Sequence, residues 1–191
     1  MTDAPANLLV MLSGGGRTFQ HLADEIDRGR LPARIVGIVA SRECPGADLA
    51  RGRGIPVKVV PGEIPADALA ELARGFGAGW VVLAGYLKRV HLPPSLAGRV
   101  VNIHPALLPK FGGPGMYGRH VHEAVLRAGE AHSGCTVHLC DAEYDRGPII
   151  LQERVPVLPG DTPESLAARV FEAECRTYPR ALRMLVEGRP Q

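Results

Sequence analysis

The apolar positions fall into short unbroken runs separated by stretches with helical spacing. Residues 8–12 are all apolar, as in a strand buried on both faces of a parallel sheet, and Gly14-Gly15-Gly16 breaks the run. From Thr18 onward Phe19, Leu22, Ala23 and Ile26 recur at helical spacing until Gly29. A second strand at 35–40 leads through Cys44-Pro45-Gly46 into a short helix ending at Gly54, and a third strand follows at 57–60. A helix at 65–74, a strand at 80–84 and a strand at 100–104 continue the alternation. Strand and helix in this rhythm predict an α/β fold: an open, doubly wound, mostly parallel sheet of Rossmann-like type with helices on both faces.

Residues 107–118 carry two prolines and four glycines and read as a long loop, after which 120–128 resume as helix. Two further strands, 134–140 and 149–157, extend the sheet as a mixed C-terminal edge. Asp161-Thr162-Pro163-Glu164 has the Asp-x-x-Glu form of a capping box. The apolar series Ala167, Val170, Phe171, Tyr178, Leu182 and Leu185 makes a long C-terminal helix, which Pro179 is expected to kink. No repeat, low-complexity segment or linker divides the chain, so residues 1–191 are expected to form a single domain.

At 191 residues with 46% hydrophobic content, the chain can bury a real core. Its 22 basic and 20 acidic residues leave a net charge of +2 without long runs, which predicts no nucleic-acid face and no membrane patch but suits a small anionic substrate. The first apolar run is too short for a signal or a membrane span, and the expected setting is the cytoplasm. Cys44, Cys135, Cys140 and Cys175 form no Cys-x-x-Cys pair and read as reduced thiols. Cys135, His138 and Cys140 lie close together, but structural zinc wants four ligands in paired spacing, and no metal is expected. A homodimer is compatible with the sequence, which fixes no oligomeric state.

The candidate chemistry centres on Val101-Asn102-Ile103-His104-Pro105 and, about forty residues on, Asp145-Arg146-Gly147-Pro148. Side chains two apart on a strand share a face, so Asn102 and His104 point the same way. An amide beside an imidazole, with a carboxylate that holds the imidazole charged, can stabilise an oxyanion and move a proton in acyl transfer. Alone, Asn102 and His104 could be polar residues at a strand end; the Asp145 turn before the next strand gives them company. That carboxylate is expected to raise the His104 pKa and keep a proton available near neutral pH. Between the first strand and helix, Ser13-Gly14-Gly15-Gly16-Arg17-Thr18 could receive a phosphate on its backbone N–H groups, or be a tight turn with nothing bound. Glu174 interrupts the apolar stripe of the last helix, either as an edge residue or as a carboxylate that meets a ligand.

Together, Asn102-Ile103-His104-Pro105-Ala106-Leu107-Leu108-Pro109-Lys110, His132 to His138, Asp145-Arg146-Gly147-Pro148 and Asp161-Thr162-Pro163-Glu164-Ser165 mark a resemblance to the folate-dependent phosphoribosylglycinamide formyltransferase family. The resemblance implies transfer of a formyl group from the co-substrate 10-formyltetrahydrofolate to the amine of glycinamide ribonucleotide in purine synthesis. It implies that Asn102 and His104 stabilise the tetrahedral oxyanion and relay the proton, that Asp145 tunes His104, and that no metal or covalent enzyme intermediate takes part. By the same resemblance Gly14, Gly15, Gly16, Arg17, Thr18, Phe19 and Gln20 bind the substrate phosphate, and Glu174 contacts the ribosyl-glycinamide part. The folate lies along Leu87, Lys88, Arg89 and Val90 and near Asp141 and Asp145. The chain departs from the family at Arg17 and Thr18, in a longer 111–119 segment, and in lacking an arginine expected between Pro61 and Pro65. Alternatives are a formyltransferase acting on another amine, a 10-formyltetrahydrofolate hydrolase, and a non-catalytic sugar-phosphate sensor.

Overall fold

The computed structural model describes residues 4–188. Its strands are β1 (Ala6–Leu12), β2 (Ala33–Ala40), β3 (Val57–Val59), β4 (Trp80–Leu83), β5 (Val100–His104), β6 (His132–Leu139) and β7 (Ile149–Pro156). The helices are α1 (Arg17–Asp27), α2 (Pro45–Gly52), α3 (Ala66–Gly75), α4 (Arg119–Arg127) and α5 (Pro163–Val186), with a 3-10 turn at Pro94–Leu96 that the sequence pattern did not reveal. All seven strands join one sheet in the order β3-β2-β1-β4-β5-β6-β7. The first five pair in parallel, whereas β6 and β7 run antiparallel, so the expected mixed edge is present.

Alternation along the central strand divides the core between the two faces. Leu8, Val10 and Leu12 pack into one cluster with Phe19 and Leu22 of α1, Ala47 of α2, Val125 of α4, and Leu166, Val170 and Tyr178 of α5. Leu9 and Met11 turn to the other face and meet Leu69 and Leu72 of α3. Every residue of 8–12 is fully buried, which is why that stretch could be apolar throughout. Each such leucine or valine contributes roughly 2 kcal/mol on leaving water. The Tyr178 hydroxyl crosses the core to the Leu83 and Val101 carbonyls at 2.9 and 3.1 Å, tying α5 to the ends of β4 and β5.

The start of α5 differs from the expected box. Thr162 is the N-cap: its hydroxyl accepts from the Ser165 N–H, and the Ser165 hydroxyl accepts from the Thr162 N–H. Asp161 instead lies one position before the cap, where its carboxylate accepts from Arg169 at 2.7 Å and from Leu158 N–H at 2.8 Å. The helix then runs through Pro179 without a break. Among the described residues, no helix is long and apolar enough to cross a membrane.

Between β1 and β4 the strand order reverses: β2 lies on one side of β1, and β4 and β5 on the other. Chains leaving neighbouring strands at such a point diverge, opening a crevice beyond their carboxyl ends. The 13–16 turn follows β1, the 84–90 segment follows β4, and Asn102 and His104 end β5, so all three border this crevice.

Candidate active site

The crevice is a cavity of about 670 Å³. Arg17, Thr18, Leu87, Lys88, Arg89, Val90, Asn102, His104, Asp141, Asp145 and Glu174 all line it. Five expected phosphate contacts do not. Gly14, Gly15 and Gly16 form the turn beneath the wall: Gly16 has φ 77°, and a Cβ there would lie 2.7 Å from the Gly46 Cα, so only glycine fits. The Phe19 side chain is fully buried in the core, because it lies on the inward stripe of α1. Gln20 already donates its N–H to the Gly16 carbonyl at 2.8 Å as the first bond of that helix. The earlier N–H groups of α1 have no intrahelical acceptor, and no side chain caps this end.

Pairing of β5 with β6 sets Asn102 opposite His138 and His104 opposite Thr136. Asn102 Nδ2 donates to His138 Nε2 at 3.2 Å, while His138 Nδ1 donates to the Leu139 carbonyl at 2.9 Å. His104 Nε2 donates to the Phe111 carbonyl at 2.7 Å, which leaves its Nδ1 facing Asp145 Oδ2 at 3.5 Å. The other carboxylate oxygen of Asp145 lies 3.5 Å from His138 Nε2. One carboxylate therefore stands between two imidazoles, and both are almost wholly buried.

The glycine-rich loop holds this arrangement together. Gly113 N–H donates to Asp145 Oδ2 at 2.9 Å, and a Cβ on Gly112 would come within 2.6 Å of Leu108 Cδ2 and 3.1 Å of Asp145 Cβ. Phe111 and Asp145 are the two non-glycine residues among those described with left-handed backbone, at φ 57° and 56°. Such conformations cost about 1–3 kcal/mol and persist where the surroundings over-determine them. Here both residues face the same imidazole.

Electrostatics correct one expectation. Burial pushes the His104 pKa down and outweighs the Asp145 carboxylate and the Phe111 carbonyl, which push it up, so the ring is held below its ordinary value instead of above it. Asp145 is also desolvated, but the neighbouring imidazoles of His138 and His104 and the Gly113 N–H prevail and hold the carboxyl below the usual range. Burial moves Glu174 the opposite way, up to about 7, against the opposing charge of Arg17. The Arg17 guanidinium lies over the Phe171 ring at 3.7 Å from its centroid.

A buried carboxylate bracketed by imidazoles beside an amide at the end of β5 supplies the groups that acyl transfer uses. Residues 6–182 match the formyl transferase family. The chain belongs to the formyl transferase family. It is 42% identical over 192 residues to the chloroplastic phosphoribosylglycinamide formyltransferase of Arabidopsis thaliana, covering 95% of this chain and 66% of that protein. It is 32% identical to the phosphoribosylglycinamide formyltransferase of Haemophilus influenzae, covering 95% and 88% of the two chains. Its fold is similar to the crystal structure of glycinamide ribonucleotide transformylase 1 from Symbiobacterium toebii, with a TM-score of 0.86 at 37% identity over 97% of this chain and 89% of that one. The chain spans less than two thirds of the length of the plant relatives.

Three features of this formyl transferase escaped the sequence reading. His138 is part of the site; alternation of Thr136, His138 and Cys140 on β6 signalled a shared face, but only the antiparallel register sets His138 across from Asn102. Ser13, fully hidden at the end of β1, accepts at its hydroxyl from Ser41 at 2.7 Å and from the Leu87 N–H at 2.9 Å. It thus locks the Gly-rich turn to the segment after β4, a contact between residues far apart in the chain. The third is His122 of α4, a buried imidazole that lines the cavity.

Proposed function

We propose that this formyl transferase moves the formyl group of 10-formyltetrahydrofolate to the amine of glycinamide ribonucleotide. The observation that carries the reading is the Asp145 carboxylate 3.5 Å from both His104 Nδ1 and His138 Nε2, with Asn102 on the same cavity wall. Its similarity to proteins named for this reaction supports the choice of substrates.

In this reading the amine nitrogen bonds to the formyl carbon, and negative charge builds on the formyl oxygen. Asn102 turns its amide from His138 to that oxygen, and His104 in its protonated form supplies the second donor. As the bond from carbon to the folate nitrogen breaks, that nitrogen gains a proton and the amine loses one; His104 and Asp145 carry the exchange. Asp145 gives the imidazolium a charged partner in a dry site, where such pairing counts for more than in water. Burial disfavours the charged form of His104, so the ring gains its charge when a proton arrives from the amine in the reaction. The uncapped first turn of α1, with Arg17 and Thr18, suits the phosphate, because unpaired N–H groups and the positive end of the helix favour an anion. Glu174, poised near neutrality, suits a hydroxyl or amine of the ribosyl-glycinamide part. The walls at Leu87, Lys88, Arg89, Val90 and Asp141 suit the folate.

Purified protein mixed with 10-formyltetrahydrofolate should release tetrahydrofolate, followed spectroscopically, only when glycinamide ribonucleotide is added. Release without the ribonucleotide would assign a hydrolase, and no release with either addition would remove the formyl-transfer reading.

A further inference from the structure

His122 is 4% exposed and lines the cavity, and none of its ring atoms is held by a hydrogen bond among the described residues. Its Nδ1 is sealed from solvent with no partner, while its Nε2 is not among the sealed polar atoms. A buried donor without an acceptor is costly, so the sealed Nδ1 carries the lone pair and the ring's one proton resides on Nε2. A second proton on Nδ1 would bury a charged N–H with nothing to receive it. Burial, and then the neighbouring His104, hold this ring below its ordinary pKa, in agreement with a neutral imidazole. The residue therefore offers the cavity one N–H fixed in place. Helix α4 packs against α5, which brings Phe171 and Glu174 to the same cavity with Arg17. Arg17 on the same cavity can serve an anionic group, whereas a neutral donor such as this suits an uncharged oxygen.

We propose that His122 Nε2 donates a hydrogen bond to an uncharged oxygen, hydroxyl or amide carbonyl, of the ribosyl-glycinamide part of the acceptor substrate. This rests on the function proposed above and adds a residue to it. His122 thereby separates ribonucleotide affinity from folate affinity.

Three variants distinguish the nitrogen that faces ligand. Gln in place of His122 carries an amide N–H at about the reach of Nε2, Asn carries one only as far as Nδ1, and Phe carries none. Because His122 makes no hydrogen bond among the described residues, His122→Phe should fold with an unchanged or higher Tm. Calorimetric titration with glycinamide ribonucleotide should give a Kd raised about tenfold in H122F and H122N and within about threefold of the parent in H122Q, as expected for one hydrogen bond between neutral groups. The KM for 10-formyltetrahydrofolate should stay within about twofold in all three. An unchanged ribonucleotide Kd in folded H122F would overturn the proposal and make the residue structural; so would a rise confined to the folate KM. Parent protein that neither binds ribonucleotide nor transfers formyl would overturn the function itself, and the His122 role with it.

Discussion

Replacing Asp145 with Asn removes one charge and almost nothing else. The carboxylate accepts the Gly113 N–H at 2.9 Å and faces His104 Nδ1 and His138 Nε2 at 3.5 Å each. An asparagine oxygen can keep the Gly113 bond while its amide turns to His138 Nε2, so the loop geometry should survive. Opposite charges 3.5 Å apart interact by about 5 kcal/mol at an effective dielectric of 20. Part of that offsets the burial of His104, which already holds the ring below its ordinary pKa. A net loss of about 3–4 kcal/mol in the transition state corresponds to a fall in kcat of roughly 10²- to 10³-fold. The sign of the pH effect follows from the same charge. Asp145 raises the His104 pKa, so without it the ring stays neutral to lower pH and the acidic limb of the rate profile moves down. Steady-state formyl transfer across pH, with Tm as a check on folding, measures both effects. Folded D145N protein with kcat within threefold of the parent and an unmoved acidic limb would refute the role given to Asp145.

Glu174 is protonated more readily in the folded chain than when unfolded, with a pKa raised from 4.5 to about 7. The folded state therefore loses stability as pH rises from about 4.5 to 7; Glu174→Gln should raise the unfolding free energy at pH 8 by up to about 3 kcal/mol and leave it unchanged at pH 4, as read by thermal melts. Tyr178→Phe removes the hydroxyl that donates to the Leu83 and Val101 carbonyls, and denaturant unfolding should show a loss of about 1–3 kcal/mol. Gly112→Ala pushes a methyl toward Leu108 and Asp145, and kcat should fall about tenfold, roughly 1.4 kcal/mol, with a smaller effect on unfolding. Arg17→Met should raise the KM for the ribonucleotide about tenfold, as loss of one charge-assisted contact does, while leaving the folate KM unchanged in initial-rate assays.

Local pattern made most of the fold legible. The apolar run at 8–12 marked a strand covered on both faces, and the structure buries every one of those residues. Helix ends were harder: Asp161 and Glu164 have the spacing of a capping box, yet Thr162 and Ser165 make the reciprocal bonds, because a shift of one residue changes which side chain can reach the first turn. In the site, Asn102 and His104 could be read from a two-residue period. His138 could not, since its place opposite Asn102 depends on the antiparallel register of β6. Nor could the His104 pKa, because the sequence names the carboxylate partner but not the depth of burial that opposes it. The role of the glycine-rich loop also depends on folding, which carries the Phe111 carbonyl and the Gly113 N–H onto His104 and Asp145.

Following the transferred carbon itself bears on the central claim most directly. Protein incubated with 10-formyltetrahydrofolate labelled with carbon-13 at the formyl group, together with glycinamide ribonucleotide, should yield the label as a formamide on the ribonucleotide, and H104A protein should yield far less. Label recovered as free formate, or formamide formed equally fast by folded H104A, would contradict formyl transfer by the Asn102, His104 and Asp145 site.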